Sequence, residues 1–201
     1  MAPPDQAVRD HLARVLLTPE DAIALDVRGG TDAAVLVALY VDHGQLHAVL
    51  TERRPDLRRH AGEVSFPGGR RDDTDADLRM TALREAHEEI GLPPEAVDLV
   101  GALQPTPTIA TDYGIYPFVG LIEAGQAWEL SPREVAEVLE LPLAALQEGY
   151  GRRRLLRRGI PIRTDTYAVD GKVIWGATAR ILADLFDRIG PLLAPDPRRP
   201  V

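Results

Sequence analysis

Residues 84–91, REAHEEIG, place three glutamates close together in the chain. Glu85, Glu88 and Glu89 are spaced i, i+3 and i+4, so in a helix they lie on one face. Gly91 is typical of a helix end, where each nearby carboxylate is unfavourable by roughly 0.3 to 1 kcal/mol because it faces the negative end of the helix dipole. Arg84 can pair with Glu88 across one turn but cannot neutralise all three acids. The pattern indicates either a solvated acidic face or a site that takes a cation from solution.

A glycine-rich segment, FPGGR at residues 66–70, precedes this acidic helix. Two glycines after a proline allow positive φ angles and close backbone approach, so a backbone amide or carbonyl can face a ligand. Carboxylate and carbonyl oxygens are the ligands that Mg²⁺ prefers, typically one or two carboxylates together with substrate phosphates. The loop and the helix together therefore favour a magnesium site used for phosphoryl chemistry.

Other metal and nucleotide motifs do not fit this part of the sequence. Asp73, Asp75 and Asp77 imitate the start of an EF-hand loop, but Leu78 stands at the glycine position and Arg84 at the bidentate glutamate position. The chain has no GxxxxGK[ST] phosphate loop, no GxGxxG after a strand, no HExxH zinc motif and no GxSxG nucleophile turn. These absences leave the acidic helix as the main chemical signal.

Composition sets the class of protein and of partner. The 201 residues carry a formal net charge of −8 and include no cysteine. A chain of this length is expected to bury roughly 70% of its unfolded surface around one core. The acidic balance argues against nucleic-acid binding, and the longest apolar run, Ala33–Val41, is shorter than the about 20 residues that span a bilayer. No signal peptide is read at the start, so we expect a cytoplasmic protein with a small-molecule substrate and neither nucleic-acid nor membrane partners; a homodimer is left open.

Hydrophobic periodicity predicts strands mingled with helices in a single domain over 1–192, followed by a flexible tail at 193–201. The spacing predicts helices at 5–17, at 76–90 with Asp75 as N-cap, and at 177–189, and hairpins at 33–52 and 166–176. A short strand is expected at 63–66 within a long loop, and further strands at 97–103 and 115–122, the latter at a sheet edge or with Pro117 at a strand start. The segment 131–143 reads as a short helix capped by Ser131, or as a loop leading to another element.

The acidic segment with its glycine loop resembles a known family signature. FPGGR(x13)REAHEEIGL, residues 66–92, is similar to the motif of the Nudix hydrolases, which combines a glycine, a glutamate and RExxEExG before an aliphatic residue. RExxEExG is intact. The interval from Gly69 to Arg84 is one residue longer than usual, and Ala76 stands where the motif has its first glutamate, so Asp75 and Asp77 are the candidates to replace it.

A second motif, directly upstream, narrows the resemblance. LTERRPDLRRHAGEVSFPGG, residues 50–69, resembles the additional motif of the coenzyme A diphosphatases, LTxRSxxxRxxxGxxxFPGG, with Arg54 where serine is usual. The resemblance extends over residues 50–182. It implies an α/β/α sandwich with a mixed sheet and a loop-helix-loop catalytic unit, and hydrolysis of CoA to 3',5'-ADP and 4'-phosphopantetheine with Mg²⁺ or Mn²⁺.

The resemblance also implies roles for individual residues. Glu85 and Glu89 are expected as main metal ligands, Glu88 as a further ligand, and the Gly68 carbonyl as a weaker one. For substrate binding the resemblance points to four positions: Arg53, Arg58, Gly68 and Gly69. Glu134 is a candidate general base, although a metal-ligating glutamate can equally do that work. The expected reaction is in-line attack of water on one phosphorus of the diphosphate.

Several interpretations stay open beside this one. Another nucleoside diphosphate derivative, such as NADH, ADP-ribose or a nucleotide sugar, would use the same metal helix, and a Nudix-fold binding module would lack turnover altogether. The basic cluster of Arg152–Arg154, Arg157 and Arg158 favours a solvated loop over a site for the 3'-phosphate of CoA. Trp175, Phe118 and Tyr116 are expected to be core residues or groove walls.

Overall fold

The computed structural model describes residues 3–25, 27, 29–57, 61–108, 112–157 and 160–192. Within these ranges five α-helices are formed: α1 (Pro3–Val15), α2 (Pro19–Ala24), α3 (Leu78–Ile90), α4 (Leu143–Glu148) and α5 (Gly176–Ile189). Short 3₁₀ turns follow α3 and α5, at Pro94–Ala96 and Gly190–Leu192. The tail predicted at 193–201 lies outside the described residues. Within the described ranges, no helix combines the length and the apolar composition that crossing a lipid bilayer requires.

The described part of the chain also contains eleven strands in two sheets: β1 (Thr31–Asp42), β2 (Gln45–Arg53), β3 (Val64–Ser65), β4 (Gly68–Arg70), β5 (Asp98–Ala102), β6 (Thr106–Pro107), β7 (Tyr113–Leu121), β8 (Val135–Pro142), β9 (Tyr150–Arg157), β10 (Ile160–Val169) and β11 (Lys172–Trp175). The main sheet has the order β3-β2-β1-β7-β5, with β4 on β1, β6 on β7 and β8 on β2. The smaller sheet has the order β11-β10-β9. The β1/β7 pair is parallel and the other pairs are antiparallel, so the main sheet is mixed.

The central strand β1 is apolar on both faces, and each face has its own core. Val37 and Leu39 belong to the core that α1, α4 and α5 cover. Leu36 and Ala38 belong to the core under α2 and α3. Alternate side chains of a strand point to opposite faces, so helices pack on both sides of the main sheet. The predicted α/β/α sandwich with a mixed sheet is confirmed.

Both predicted hairpins form around two-residue turns. Asp42 pairs with Gln45, and the connecting residues His43 and Gly44 have φ angles of 47° and 76°. The β10/β11 turn, Asp170-Gly171, has φ angles of 50° and 78°. Positive φ at both positions matches the right-handed twist of the flanking strands, and glycine and short polar residues tolerate it.

The prediction that Pro117 marks a sheet edge or a strand start is wrong, since it lies in the middle of β7. Strand β7 runs inside the sheet, between β1 and β5. The Pro117 carbonyl accepts a hydrogen bond of 2.9 Å from the Leu103 backbone N–H, at the place where β5 has ended and β6 has not begun. Proline has no backbone N–H to donate. At Pro117 the missing donor would face the gap between β5 and β6, so an interior strand tolerates proline at this position.

The acidic helix begins later than predicted and has a different cap. It starts at Leu78, and the carboxylate of Asp77 accepts hydrogen bonds from the backbone N–H groups of Arg79 and Met80. Asp75, the predicted cap, instead turns inward and is 8% exposed. At the other end Gly91 adopts a left-handed conformation, φ 72°, and its N–H bonds to the His87 carbonyl, as the sequence led us to expect.

Two further segments differ from the sequence-based interpretation. Residues 131–134 form a turn that leads into strand β8, so the loop alternative holds and the helix alternative does not. The arginines at 152–154 and 157 belong to strand β9, which pairs with β10 along its length. The favoured interpretation of that cluster as a solvated loop is therefore wrong for these positions, and Arg158 lies outside the described residues. The strand β4 was not predicted at all.

Candidate active site

Two acidic side chains of α3 lie against a pair of glycines in β4. The Gly68 N–H donates to a carboxylate oxygen of Glu89 at 3.3 Å. A Cβ atom added at Gly69 would stand 2.4 Å from the Glu85 carboxyl carbon. One added at Gly68, whose φ is 158°, would stand 2.3 Å from the Ala34 carbonyl oxygen. Glycine at 68 therefore allows β4 to pair with β1, and glycine at 69 leaves room for the Glu85 carboxylate.

Arg84 ties the loop before α3 to the helix itself. Its guanidinium makes two contacts with the Asp75 carboxylate, at 2.9 and 3.0 Å. It also donates to Glu85 at 2.8 Å and to the Arg70 carbonyl at 3.1 Å. This two-point pairing holds the pKa of the Asp75 carboxyl well below its usual range. Asp75 and Asp77 thus divide the work at this turn: Asp75 fixes Arg84, and Asp77 caps the helix.

Glu88 stands at the rim of the acidic face. Its side chain is 58% exposed, and it lies 3.4 Å from Arg84, one helical turn earlier. An exposed pair of this kind contributes a few tenths of a kcal/mol at most. Glu88 is therefore free to move toward a ligand at little cost.

Glu89 is the most buried carboxylate of the site. It is 5% exposed, and burial raises its pKa to about 8, against the opposing effects of Arg53 and the Gly68 N–H. Burial also raises the pKa of Glu85, although Arg84 counteracts it. Keeping both groups ionised in this environment requires more positive charge than the two arginines provide. A bound cation would favour the ionised form of both carboxyl groups.

Arg53 lies between two carboxylates. Its guanidinium is 3.8 Å from Glu89 and 3.7 Å from Glu134, and its Nε atom is buried without a hydrogen-bond partner among the described residues. Glu134 is held there because its carbonyl accepts from the Arg54 N–H at 3.0 Å, and its side chain is about half exposed. Arg53 is therefore paired only at long distances, and its guanidinium lines the cavity.

Without a ligand, the acidic residues provide only part of the coordination shell of a divalent cation. Among the residues that the structure describes, no three acidic or histidine side chains converge into a ready metal cluster. Mg²⁺ often takes one or two protein carboxylates and completes its shell with water and substrate phosphate. Glu85 and Glu89, adjacent, partly desolvated and short of positive charge, match that requirement, with Glu88 within one turn.

A cavity of about 360 Å³ adjoins the glycine pair. Its charged lining residues are Arg53, Arg70, Arg180 and Glu63, so it is locally basic in an acidic protein. Its aromatic and apolar lining comprises Ala33, Val35, Val64, Phe66, Tyr113, Ile115, Trp175 and Ala177. Such a combination of an apolar wall and arginines suits an anionic organic ligand.

The structure brings most of the predicted site residues together. Glu85, Glu89, Gly68, Gly69 and Arg53 are neighbours, with Glu88 and Glu134 at the edge. Arg58 lies outside the described residues, so its role stays a prediction, as does that of the Gly68 carbonyl. Trp175 is a cavity wall, whereas Phe118 and Tyr116 are buried in the core. Tyr113 and Arg180 were not predicted as site residues: both lie within the resembling stretch, residues 50–182, but no catalytic or binding pattern in the sequence singles them out.

Sequence comparison identifies the family. Residues 30–158 match the model of the NUDIX domain. The chain belongs to the Nudix family. It is 42% identical over 177 residues to a protein of Salmonella heidelberg (strain SL476) called "Uncharacterized Nudix hydrolase NudL", a match that covers 87% of this chain and 90% of the relative. A NudL of Salmonella paratyphi B is 44% identical over 160 residues, which cover 79% of this chain and 82% of the relative.

A solved Nudix structure has the same fold. The MutT/nudix family protein from Enterococcus faecalis superposes with a TM-score of 0.56, over 95% of this chain and 75% of that one, at 14% identity. Nudix hydrolases act on diphosphate bonds and generally use divalent metal ions, usually Mg²⁺ or Mn²⁺. The acidic face of α3 lies within the matched residues, as do β1 and the glycine pair.

The Asp75–Arg84 pair predicts a pH-dependent loss of stability in Asp75→Asn. The folded-state pKa of Asp75 is depressed, so its contribution is present above its unfolded pKa, about 4, and is lost as the pH falls toward the folded value. At pH 7 the variant is expected to unfold about 2 kcal/mol more easily than the wild type. Denaturant titrations at pH 7 and pH 3 measure this, with the exposed Asp73→Asn as control. An Asp75→Asn difference that is the same at both pH values would contradict the pairing.

Gly69→Ala is expected to keep the fold and lose catalysis. The added methyl group meets the end of a flexible side chain, Glu85, which can move away. Displacing a reacting group by about 1 Å can lower the rate about 100-fold. Gly190→Ala, where a Cβ meets nothing within 4 Å, is the control. Circular dichroism melting and metal-dependent turnover, compared between the two variants, measure the effect; wild-type turnover by Gly69→Ala would refute the contact.

Proposed function

We propose that this Nudix protein is a coenzyme A diphosphatase, which hydrolyses the diphosphate of CoA or its derivatives to 3',5'-ADP and 4'-phosphopantetheine or its acylated form. The observation that carries the proposal is the position of the upstream motif at residues 50–69. Arg53, residues 63–66, Gly68 and Gly69 of that motif line the cavity. Arg53 and Phe66, two fixed positions of the CoA-type motif, thus line the cavity in which a substrate is expected to bind.

The chemistry of the cavity supports a nucleotide ligand. Arg53 and Arg70 are next to the glycine pair, where a diphosphate would meet Glu85 and Glu89. Trp175 and Tyr113 supply flat apolar surfaces in the same cavity, which suit an adenine ring or the pantetheine chain. The volume of about 360 Å³ is within the range of small-molecule sites, and the cavity is open enough for a longer substrate to extend beyond it.

The acidic and basic residues of the site have different expected roles in hydrolysis. Glu85 and Glu89, with Glu88 from the rim, would hold Mg²⁺ or Mn²⁺. When bound, the cation supplies positive charge to the diphosphate and makes a nearby water more acidic. Arg53, which lies 3.8 Å from Glu89 in this structure, would then be available to pair with a phosphate oxygen of the diphosphate. Glu134, half exposed and beside Arg53, is the candidate to accept the proton of the attacking water.

A substrate panel tests the proposal. Purified protein with Mg²⁺ or Mn²⁺ is expected to hydrolyse CoA with a kcat/KM at least about tenfold above that for NADH, ADP-ribose and nucleotide sugars, because an added charged contact is worth that much. Chromatography of the products should show 3',5'-ADP and 4'-phosphopantetheine. A preference for NADH or another of these compounds would show that CoA is not the main substrate. Turnover of none of them would favour a binding module.

Glu85→Gln and Glu89→Gln are expected to lose turnover without unfolding. Each exchange removes a charge that the cation needs, and the rate at saturating Mg²⁺ should fall by roughly 100-fold or more, the upper end of what changing a partner of a metal ligand costs. Glutamine has nearly the same shape, and Glu89→Gln should melt at or above the wild-type temperature because the ionised group is costly to bury. The exposed Glu95→Gln is the control. Near wild-type turnover in either variant would show that its carboxylate holds no metal.

A further inference from the structure

The side chain of Glu134, the candidate base, is held only weakly by its surroundings. Its carboxylate is about half exposed, and the Arg53 guanidinium is 3.7 Å away, which is longer than a hydrogen bond. No residue that the structure describes donates a hydrogen bond to this carboxylate. The position of Glu134 therefore depends on how the backbone around it is held.

Strand β8 is irregular where it reaches Glu134. Its pairing with β2 shifts register beside Val135 and leaves Ala136 without an opposite residue. An extra residue of this kind is a β-bulge, which bends the strand and redirects the side chains next to it. Before the bulge the chain turns, and the N–H groups of Glu134 and Val135 both donate to the Ser131 carbonyl, at 3.2 and 3.0 Å. The ladder of β8 alone therefore does not fix this turn.

The carboxyl end of α3 holds the start of the turn. The Ser131 N–H donates to the Glu89 carbonyl at 2.8 Å, and the Glu129 N–H donates to the Ile90 carbonyl at 3.0 Å. The last carbonyls of a helix have no partner within the helix, so these bonds satisfy groups that would otherwise need water. They tie the segment that leads to Glu134 to the helix that carries the acidic face.

Arg54 holds the other end of the turn. Its backbone N–H donates to the Glu134 carbonyl at 3.0 Å, and its guanidinium donates to the Pro132 carbonyl. The Asp56 carboxylate orients the guanidinium through two hydrogen bonds, of 2.9 and 2.8 Å. One residue of the loop after β2 thus binds two carbonyls of a turn that lies far away in the chain.

Neither the resemblance nor stability accounts for Arg54. It occupies the position where the upstream motif usually has serine, so the resemblance assigns it no role. The side chains of Arg54 and Asp56 are 40% and 62% exposed, and an exposed ion pair contributes little to the stability of a fold. The effect of these contacts is local: they fix a turn beside the candidate active site.

We propose that Arg54 is a positioning residue for Glu134. By binding the Pro132 carbonyl, the guanidinium keeps the Glu134 carboxylate beside Arg53, where the diphosphate is expected. The inference rests on the proposed function, in which Glu134 accepts the proton of the attacking water. A general base must lie within hydrogen-bond reach of the proton that it removes, so a displaced turn slows the chemical step and leaves substrate binding unchanged.

A double-mutant cycle tests the positioning role. Arg54→Ala is expected to lower kcat about tenfold, part of the about 100-fold that a displacement of 1 Å can cost, with little change in KM. The substrate is CoA, or whichever diphosphate of the panel is hydrolysed. In a Glu134→Gln background the same exchange should have no further effect, because the carboxylate that Arg54 positions is gone. Asp56→Asn, which weakens the hold on the guanidinium, should give a smaller loss of kcat.

Arg9→Ala is the matched control. Arg9 pairs with Asp98 at 2.6 Å, and the two side chains are 39% and 43% exposed. This pair joins α1 to β5, and neither residue lines the cavity, so kcat and KM should stay at the wild-type values. An equal loss of kcat from Arg54→Ala with and without the Glu134 carboxylate would overturn the positioning role. No loss from Arg54→Ala, or wild-type kcat in Glu134→Gln, would overturn it too.

Hydrogen exchange separates failure of this role from failure of the proposed substrate, because it needs no turnover. Peptides that cover residues 129–135 should exchange faster in Arg54→Ala than in the wild type and in Arg9→Ala. Unchanged exchange in these peptides would overturn the role of Arg54 even if CoA is hydrolysed. Faster exchange, with the loss of kcat confined to protein that retains Glu134, supports the role even if another diphosphate proves to be the better substrate.

Discussion

The packing of an acidic helical face directly onto glycine backbone is the constraint on which the site depends. Glu85 can approach β4 because Gly69 has no side chain, and β4 can approach β1 because Gly68 has none. Two carboxylates placed so close to a sheet lose solvent and would repel each other. Arg84 and Arg53 limit that repulsion from opposite sides, the first bound to Glu85 and the second near Glu89. The arrangement is stable enough to fold and leaves a deficit of positive charge.

Because positive charge is short at these carboxylates, the two arginines near them have different roles, one in the fold and one in ligand binding. Arg84 is committed to Asp75 and to the backbone, so it serves as a fixed anchor of the loop before α3. Arg53 makes only long contacts, at 3.8 and 3.7 Å, and keeps a buried donor unused. One arginine therefore holds the structure while the other can respond to a ligand. A divalent cation at the carboxylates would complete the charge balance and release Arg53 to the substrate.

The sequence predicts the local parts of this site well and the distant parts poorly. The i, i+3, i+4 spacing of Glu85, Glu88 and Glu89 and the glycine pair follow from the covalent order and from helix geometry. The roles of Asp75 and Asp77 do not follow from the sequence, because they depend on which of the two carboxylates pairs with Arg84 in the folded protein. Trp175 and Arg180 reach the cavity only through the tertiary fold. Arg153 lies opposite Thr164 in the β9/β10 pair. This pairing cannot be read from the sequence, so the arginine cluster was interpreted as a solvated loop.

The central claim is that a divalent cation is bound between Glu85 and Glu89 and a substrate diphosphate. A crystal grown with Mn²⁺ and a non-hydrolysable CoA analogue tests it most directly through anomalous scattering. The account predicts a manganese peak in contact with both carboxylates and with the diphosphate, and Arg53 withdrawn from Glu89. Manganese located elsewhere, with Glu89 still facing Arg53 beside a bound ligand, would contradict it.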